Sequence, residues 1–496
     1  MPRLPPALIR EAALQNHLLP LLLRACRDLP SARNEFRWLQ EHARDTVHAK
    51  TRKRHKALPE DALIHLKSPR HGEEKSQCPQ RKDSSVKSKA DRLEKTSVAV
   101  DANSRRSLFR RRVFVHRGHR NSVVSHTSGR GLRDAFQEQY TARSHAQSLL
   151  AKFIARRARG VPLQYILGNQ PFGNLEILTR KGVLIPRSDT ETYSQHVAKL
   201  LLSWLHTATF ASHTRLPGRR KLRILDLCSG TGCIALLLHS VLKPPNLDSN
   251  IDLEILGADI SMDANLLSRR NLQHNIAEGL LHPDAAQDVS FQQMDILRLA
   301  RSNRSKTRRL FNHGSPSAHQ DAALDDTWDV IVSNPPYISP KDYRPGGQTN
   351  SSVRKYEPKL ALVPPVSGSS GDANPAVDPG DLFYGPLIDL MSSVGAKLLV
   401  MEVGDSQQAG RVHEIAMEKF KNRDDDVRFE RWKDDGTERL LSTSRASHQG
   451  LTDGLAAEGT QAASATTDSH ASDRAVVVWA RELAEWRMSV RWDGRV

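Results

Sequence analysis

Aromatic residues and long apolar runs are scarce in this sequence. Only 5% of the 496 residues are aromatic and 38% are hydrophobic, which is little for a chain that folds from end to end. Part of the length is therefore expected to lie outside any hydrophobic core. The longest apolar run near the start, residues 18–23, contains Pro20 and is far too short to cross a bilayer. The sequence predicts no membrane insertion.

Cysteine is also scarce, with four residues in the whole chain. None of them forms a Cys-x-x-Cys pair, so their spacing supports neither a zinc site nor a disulfide framework. We expect no metal ion in the functional site. This cysteine usage is consistent with a reducing compartment.

Positive charge is abundant but unevenly distributed. Residues 50–120 contain 21 lysines and arginines against 8 acidic residues, so this segment carries +13 of the total charge of +17. It is rich in serine and poor in apolar residues, and it cannot bury enough surface to offset its ordering entropy. We predict a basic, disordered insertion over residues 50–125. A weak contact with nucleic acid through this arm is the alternative role.

Two segments of helical periodicity flank that insertion. Apolar residues recur at helical spacing within residues 7–48 and again within residues 132–159. The economical interpretation is an amino-terminal helical domain over residues 1–159, interrupted by the insertion, and a second domain over residues 160–496. Polar or low-complexity stretches are predicted to be inserted into the second domain near residues 298–326, 366–380 and 442–472.

Strands and helices alternate from about residue 161 onward. Buried-type strands that alternate with helices predict an α/β domain with a doubly wound, Rossmann-like parallel sheet. Ligands of such sheets bind beyond the carboxyl ends of the strands, and the polar motifs of this sequence fall there. The predicted strands span residues 222–226, 254–259, 289–295, 328–333, 396–403 and 474–479, and the predicted helices span residues 233–242, 262–277 and 387–394.

The first of these motifs is a glycine turn after the strand that ends at Asp226. It consists of Cys228, Ser229, Gly230, Thr231 and Gly232. Its two glycines let the backbone approach a ligand closely, and the helix start that follows offers free N–H groups. Ala235 stands where a dinucleotide fingerprint has its third glycine, which that pattern can tolerate. A glycine turn without any ligand is the alternative.

Acidic residues lie at the ends of the next two predicted strands. Asp259 is placed to accept both hydroxyls of a ribose, the geometry that dinucleotide enzymes use. Asp295 would lie beside an adenine and accept from its exocyclic amine. Carboxylates at strand ends often cap helices instead, which is the alternative for each residue taken singly. Three acids at successive strand ends around a glycine turn favour a nucleoside-containing cofactor.

The most specific element is the loop Asn334, Pro335, Pro336 and Tyr337, which follows a buried strand. Its two prolines fix the backbone. An amide nitrogen is a poor nucleophile and must be held in line with the methyl group of a sulfonium donor. The Asn334 side-chain oxygen and the Pro335 carbonyl can accept the two protons of an –NH2 group, and Tyr337 offers a flat wall. We interpret the loop as the catalytic loop of an S-adenosylmethionine-dependent methyltransferase. The alternative is that the two prolines only end the strand and stiffen the loop, without any catalytic role.

Further segments carry a resemblance to a known family. These segments are Gly160–Gly168, Pro171–Gly173, Val183–Glu191, the catalytic loop, Tyr356–Pro358 with Leu360–Leu362, and Met401–Gly404 with Gln407. On these segments the sequence resembles the HemK family of protein-(glutamine-N5) methyltransferases, which modify class I peptide chain release factors. The resemblance extends from Gly160 to Gln407 and reaches the final strand around Asp473 and Arg474.

The resemblance implies S-adenosylmethionine as the cofactor, contacted by residues 228–232 and by Asp259. Asn334 would contact both cofactor and substrate, and residues 334–337 would hold a glutamine side-chain amide. Phe172 and Arg187 align with family positions near the active site. The candidate cofactor-binding residues are therefore Phe172, Asp226, Cys228, Ser229, Gly230, Thr231, Gly232, Asp259, Asp295 and Asn334.

The resemblance also implies a partner, a release factor whose Gly-Gly-Gln motif supplies the methyl-accepting glutamine. The amino-terminal helical domain would recognise this protein substrate. The long insertions and the arginine-containing start indicate a eukaryotic, mitochondrial member, with the cytoplasm as the alternative location. We expect a monomer.

Three positions depart from the family pattern. Cys228 replaces the usual first glycine of the turn, Ser188 and Asp189 stand where the family usually has Pro-Glu, and Ile296 stands where it tends to have an aromatic. The chain also contains its own Gly-Gly-Gln sequence at residues 346–348. In a loop rich in glycine and proline, chance is the favoured interpretation of this tripeptide, and self-methylation is the alternative.

Two other functions share part of this evidence. Enzymes that methylate adenine in DNA or RNA use the same tetrapeptide, but a base-flipping enzyme should also carry a folded basic cleft. Here the positive charge is concentrated in the predicted insertion. A non-catalytic scaffold that keeps a methyltransferase fold is the second rival. Such a scaffold has no need of an intact loop at residues 334–337.

Overall fold

The structure, a computed structural model, describes residues 3–56, 129–207, 222–247, 251–312, 327–365, 378–421, 426–434, 438–444 and 472–490. Two compact units divide the chain, one formed by Met1–Leu39 with Leu150–Val496 and the other by Gln40–Leu149. Most of the insertion predicted at residues 50–125 lies outside the described residues, as do residues 313–326, 366–377 and 445–471 of the other predicted insertions. The domain boundary predicted after residue 159 stays a prediction.

Helices form both amino-terminal segments in which helical spacing was found. In the first two, a proline lies in the opening turn, where its missing N–H costs nothing. Arg157 pairs with Glu35 through two hydrogen bonds of 2.7 and 2.8 Å, which ties the end of the helix Gly129–Ala158 to the start of the helix Leu29–Lys56. No helix among the described residues has the length and apolar content to span a membrane. These helices are α1 (Pro6–Gln15), α2 (Leu19–Cys26), α3 (Leu29–Lys56), α4 (Gly129–Ala158) and α5 (Leu163–Leu167).

A small hairpin and a large sheet follow. Strands β1 (Asn169–Phe172) and β2 (Leu175–Leu178) pair antiparallel. The described strands of the large sheet are β3 (Leu222–Leu227), β4 (Leu253–Asp259), β5 (Val289–Gln293), β6 (Val330–Ser333), β7 (Leu398–Glu402), β8 (Val427–Lys433), β9 (Glu438–Ser444) and β10 (Asp473–Ala480). They lie side by side in the order β5-β4-β3-β6-β7-β10-β8-β9.

Five of these strands are parallel and form the half of the sheet that matters for ligand binding. Strands β5, β4, β3, β6 and β7 pair parallel, whereas β10 runs antiparallel to both β7 and β8. The strand order reverses between β3 and β6, and a sheet of this kind opens a crevice at such a point, beyond the carboxyl ends of the strands. The doubly wound α/β fold predicted from the sequence is confirmed.

Helices cover both faces of this sheet. In the central strands the apolar side chains alternate between two core clusters, so that Ile224 and Val332 pack on one face and Leu225 and Ile331 on the other. The helices are α6 (Ser188–Leu205), α7 (Cys233–Leu242), α8 (Met262–Ala277), α9 (Ala285–Asp288), α10 (Ile296–Ala300), α11 (Arg304–Asn312), α12 (Pro340–Tyr343), α13 (Ser351–Tyr356), α14 (Tyr384–Val394), α15 (Ser406–Phe420) and α16 (Glu482–Ser489).

A buried cation joins three elements at the amino-terminal edge of the sheet. Lys397, just before β7, lies 2.9 Å from the Asp329 carboxylate and 2.7 Å from that of Glu482. The second Asp329 oxygen accepts the backbone N–H of Arg223 at 3.0 Å. The Lys397 and Asp329 side chains are 5% and 3% exposed, so removing the cation would leave a carboxylate charge almost without solvation.

We expect Lys397→Met to lower the free energy of unfolding by about 3 kcal/mol, because breaking a buried ion pair strands its partner. Urea denaturation followed by circular dichroism measures this change. Lys419→Met is the matched control, since Lys419 pairs with Asp389 at 2.6 Å but both side chains are 38% exposed. That control should change stability by less than about 1 kcal/mol. Equal effects of the two substitutions would contradict the role given to burial.

Candidate active site

The turn after β3 has a backbone that few residue types can adopt. Cys228, Gly230 and Gly232 all have positive φ angles, of 63°, 55° and 77°. A β-carbon on Gly232 would lie 2.7 Å from the Phe291 ring, so this position requires glycine. Cys228 accepts the left-handed conformation despite its side chain, which stores strain at this site. Burial also raises the pKa of its thiol well above the usual range.

Asp226 lies below the turn, with none of its surface exposed. Its Oδ2 accepts the backbone N–H of Ala235 at 3.1 Å, in the first turn of α7. Burial raises the pKa of this carboxyl to about 8. Asp226 therefore does not face the cavity, and its role is to fix the start of α7 against the end of β3.

Asp259 joins the end of β4 to the glycine turn. Its two oxygens accept backbone N–H groups, from Gly230 at 2.9 Å and from Ser261 at 2.8 Å. Burial raises the pKa of this carboxyl, and the two N–H groups oppose that rise. Each oxygen keeps a further lone pair for a ligand. Asp295 is exposed and caps α10 by accepting the N–H of Arg298 at 3.1 Å.

A cavity of about 560 Å³ opens between these strand ends, a volume typical of small-molecule sites. Asp259 and Asp295 lie on its wall beside two aliphatic side chains, Ile260 and Ile296. The sequence-predicted residues that line this larger cavity are Cys228, Ser229, Gly230, Thr231, Asp259, Asp295, Asn334 and Pro336.

A second cavity, of about 370 Å³, lies on the other side of Asn334. Tyr337, Glu402 and Gln408 are among its lining residues. The two cavities share four residues: Leu184, Arg187, Asn334 and Ala361. A group passed from a ligand in the larger cavity to a ligand in the smaller one would therefore pass beside Asn334.

A chain of hydrogen bonds orients the Asn334 side chain. Its Nδ2 donates to the Thr190 hydroxyl at 3.2 Å, and that hydroxyl donates to Glu402 Oε2 at 2.6 Å. A hydroxyl has one proton, so Thr190 can only accept from Asn334 when it donates to the carboxylate. This assigns the nitrogen of the Asn334 amide to Thr190 and leaves its oxygen as the acceptor for a ligand N–H.

Glu402 is buried at the end of β7 and links this network to the loop. Its Oε1 accepts the Tyr337 hydroxyl at 3.2 Å. Burial raises the pKa of Glu402 to about 7, and the bonds from Thr190 and Tyr337 oppose that rise. Burial likewise raises the pKa of Tyr337, which stays a neutral donor.

Gln408 supports the loop from below. Its Nε2 donates to the Tyr337 carbonyl at 3.2 Å and to Asp381 at 2.9 Å, and its Oε1 accepts the Gly404 N–H at 2.8 Å. The neighbouring Gln407, which belongs to the segments that resemble the family, is exposed. The contacts that support the loop come from Gln408.

Not every sequence-predicted residue lines the two cavities. Phe172 is 1% exposed within one core cluster, and Asp226, Gly232 and Pro335 are also absent from both linings. We therefore do not include Phe172 among the ligand contacts. Arg187 borders both cavities and pairs with the buried Glu357 at 2.7 Å.

No sequence motif assigns a role to Thr190, Glu402 or Gln408. Thr190 and Glu402 did fall within the segments that resemble the family, and a buried carboxylate at a strand end was the available signal. Their partnership joins residues that are 212 positions apart in the sequence, and no local pattern predicts such a contact.

Curated proteins similar to this chain identify the family. It is 34% identical over 263 residues to the probable MRF1 mitochondrial N(5)-glutamine methyltransferase mtq1 of Schizosaccharomyces pombe, with 51% of this chain and 67% of that protein covered. It is 31% identical over 252 residues to the release factor glutamine methyltransferase of Pasteurella multocida, with 51% and 69% covered. The chain belongs to the release factor glutamine methyltransferase family. This methyltransferase is also 31% identical over 209 residues to the mitochondrial MRF1 N(5)-glutamine methyltransferase MTQ1 of Saccharomyces cerevisiae, with 42% and 51% covered. No protein-family model matches it.

Solved structures resemble the methyltransferase more distantly. The amino-terminal domain of human METTL16 gives a TM-score of 0.30 at 11% identity, with 66% of this chain and 81% of that chain covered. Magnesium protoporphyrin IX methyltransferase from Synechocystis, with bound SAM, gives 0.22 at 11% identity, with 59% and 82% covered. At such scores neither structure adds to the fold that the strand order itself shows.

S-adenosylmethionine is the cofactor of this methyltransferase, and the larger cavity suits it. The open backbone of the glycine turn, where a β-carbon on Gly230 would meet no atom within 4 Å, leaves room for close approach. Asp259 offers acceptors for ribose hydroxyls, and Ile260 with Ile296 offers apolar surface for a purine. Asn334 would lie beside the methyl group, which the cofactor supplies as an electrophile.

We expect Thr190→Val to lower kcat about 100-fold, because loss of the hydroxyl releases the Asn334 amide from its productive orientation. Affinity for S-adenosylmethionine, measured by calorimetry, should change less than about threefold. Thr192→Val is the matched control on the same helix, since the Thr192 hydroxyl is exposed and bonds only to the Ser188 carbonyl in the described structure. A kcat for Thr190→Val equal to that of the control would rule out the positioning role.

We expect kcat to rise with pH through about 7, the pKa of Glu402. Below that pH the carboxyl is protonated and no longer accepts from both Thr190 and Tyr337 as an anion. Above it the carboxylate holds both hydroxyls and, through Thr190, Asn334. Single-turnover rates from about pH 6 to 8 measure the profile. Glu402→Gln should lose this dependence while keeping the side-chain volume, and a profile identical to wild type would assign the titration to another group.

Proposed function

We propose that this methyltransferase transfers the methyl group of S-adenosylmethionine to the side-chain amide nitrogen of a glutamine in a class I peptide chain release factor. The glutamine of a Gly-Gly-Gln motif is the proposed acceptor. The relatives named above support this substrate, because their names specify glutamine N5 and release factors. The observation that carries the proposal is that Asn334 borders both the larger cavity and the smaller one.

The geometry suits an amide acceptor in the smaller cavity. The Asn334 oxygen is left free by the Thr190 bond and can accept one of the amide protons. The Pro335 carbonyl does not line the cavity in this structure, and its role as the acceptor of the second proton stays a prediction. Tyr337 contributes the flat wall that a planar group requires. The cofactor would supply an electrophilic methyl group. The Glu402 carboxylate would stabilise the positive charge that the amide nitrogen gains with that group, and one amide proton would then pass to solvent.

Residues of the larger cavity hold the cofactor in this proposal. Asp259 and Asp295 contact the nucleoside, and residues 228–231 approach the rest of the cofactor through the backbone. Asp226 and Gly232 act indirectly, by fixing the turn and the start of α7. The catalytic loop consists of Asn334, Pro335, Pro336 and Tyr337.

Charge around the smaller cavity favours a protein substrate over a nucleic acid. Its lining has four carboxylates against two arginines, Arg187 and Arg411, and Arg411 already bonds to Asp381. A nucleic acid brings a dense row of phosphates that such a wall would repel. The carboxylates are Asp342, Asp378, Glu402 and Asp405.

The location and partners of the enzyme complete the proposal. Two of the relatives are named mitochondrial, which supports a mitochondrial release factor as the substrate and a mitochondrial location. The amino-terminal helices would recognise the release factor outside its Gly-Gly-Gln loop. A monomeric state and a weak nucleic-acid contact through residues 50–125 stay predictions.

A methylation assay with radiolabelled S-adenosylmethionine tests this function, with mitochondrial release factor, cytosolic release factor and total RNA offered in parallel. We expect label on a release-factor glutamine and none on RNA. Label on RNA alone would overturn the substrate assignment, and failure to bind S-adenosylmethionine would favour the non-catalytic scaffold.

Asn334→Ala should reduce transfer at least about 1000-fold while leaving cofactor affinity within about tenfold, because its main task is to orient the acceptor. Calorimetry and the radiolabel assay measure the two quantities on the same protein. Equal losses in cofactor binding and turnover would contradict this division of labour.

A further inference from the structure

The chain's own glutamine at position 348 borders the smaller cavity. Gln348 and Thr349 lie on its wall together with Asn334, Tyr337 and Glu402. The tripeptide Gly346-Gly347-Gln348 was attributed to chance on composition alone. Its position was not available from the sequence, because residues 346–348 could have lain on any side of the loop that follows β6.

The turn that carries Gln348 has a fixed conformation that requires both glycines. Gly346 has a φ of 87°. A β-carbon on Gly347 would lie 2.4 Å from the Asp342 carbonyl oxygen, a backbone atom that cannot move aside. Backbone bonds from Gly347 to Arg344 at 2.9 Å and from Thr349 to Asp342 at 3.0 Å close the turn.

Both flanks of this turn are anchored to the catalytic domain. On one side Ser339 caps α12 by accepting the Asp342 N–H at 3.2 Å. On the other side Asn350 caps α13, and Ser352 in that helix bonds to the Gly160 carbonyl at 2.5 Å. Because the backbone is held on both sides, Gln348 stays at the cavity wall.

Two glutamines border this cavity, and their amides differ in one decisive respect. Gln408 is 4% exposed and its Nε2 donates to three acceptors. The Gln348 side chain is exposed and makes no hydrogen bond within the described part of the chain. Only the Gln348 amide is therefore free to rotate into the cavity and present its nitrogen.

We propose that Gln348 is an intramolecular methyl acceptor, which occupies the acceptor cavity in competition with the substrate glutamine. The inference rests on the proposed function, because it assumes that this cavity receives a glutamine amide. The carbon–sulfur bond of the sulfonium donor breaks as a bond forms to Gln348 Nε2. The donor leaves as a neutral thioether, and one Gln348 amide proton passes to solvent.

Incubation of the purified full-length enzyme with S-adenosylmethionine, followed by peptide mass spectrometry, tests the inference. We expect one added methyl group on the Gln348 side chain and none on Gln408, which is the internal control. The Gln348→Asn variant has a shorter side chain at this position and should not be modified there. The same variant should still methylate a release factor. Asn334→Ala should abolish both reactions.

A binding measurement gives a second readout that does not depend on turnover. Without cofactor, Gln348→Ala should bind a Gly-Gly-Gln peptide about threefold more tightly than wild type, because a competing occupant has been removed. Ser351→Ala, at an exposed position outside both cavity linings, should bind the peptide as wild type does.

The failures of the two proposals are distinguishable. An unmodified Gln348 in an enzyme that methylates a release factor, or equal peptide affinities of wild type and Gln348→Ala, would each overturn the inference and leave the proposed function standing. If neither Gln348 nor any release factor is methylated by an enzyme that binds its cofactor, both proposals fail.

Discussion

The active site depends on the hydrogen bond between Thr190 and Glu402. It joins the start of α6 to the end of β7, across the end of β6 from which the catalytic loop emerges. Through the Thr190 hydroxyl, the buried carboxylate determines which end of the Asn334 amide faces the ligand. A rigid diproline loop fixes backbone but cannot choose between oxygen and nitrogen at the tip of an asparagine. That choice requires a partner from another element, and the fold supplies it at the point where two cavities meet.

The cofactor side of the site shows a second constraint, which is backbone strain held by burial. Cys228, Gly230 and Gly232 all have positive φ angles, and Asp259 accepts a backbone N–H from within that turn. Asp226 lies beneath, with its carboxyl buried and its pKa raised. Both carboxylates therefore hold the turn and the helix start in place by accepting backbone N–H groups. Of the two, Asp259 also lines the larger cavity. This explains how Cys228 can replace a glycine, since a surrounding network over-determines the conformation.

The sequence predicted the fold class and most of the cofactor wall, because both depend on local patterns. Periodicity gave α7 and α8 with the observed limits, and the strand-end acids Asp259 and Asp295 line the cavity. Other features were not predicted for physical reasons. The hairpin β1–β2 and the strands β8 and β9 lack strict apolar alternation, so period-2 patterning did not mark them. Phe172 aligned with an active-site position but belongs to the core, since alignment carries no information about which way a side chain points. Contacts such as Thr190 with Glu402 depend on the three-dimensional path of the chain.

The position of β10 has a consequence for synthesis of the protein. This strand inserts between β7 and β8, although β8 and β9 precede it in the sequence. While the chain is being made, β7 therefore remains an unpaired edge until residues 473–480 have left the ribosome. Glu402 ends that same strand, and the Arg474 side chain bonds to the Gly404 carbonyl just beyond it. The strands that border the larger cavity all precede residues 473–480 in the chain. The strand that carries Glu402 receives its second neighbour only after β8 and β9 have been synthesised.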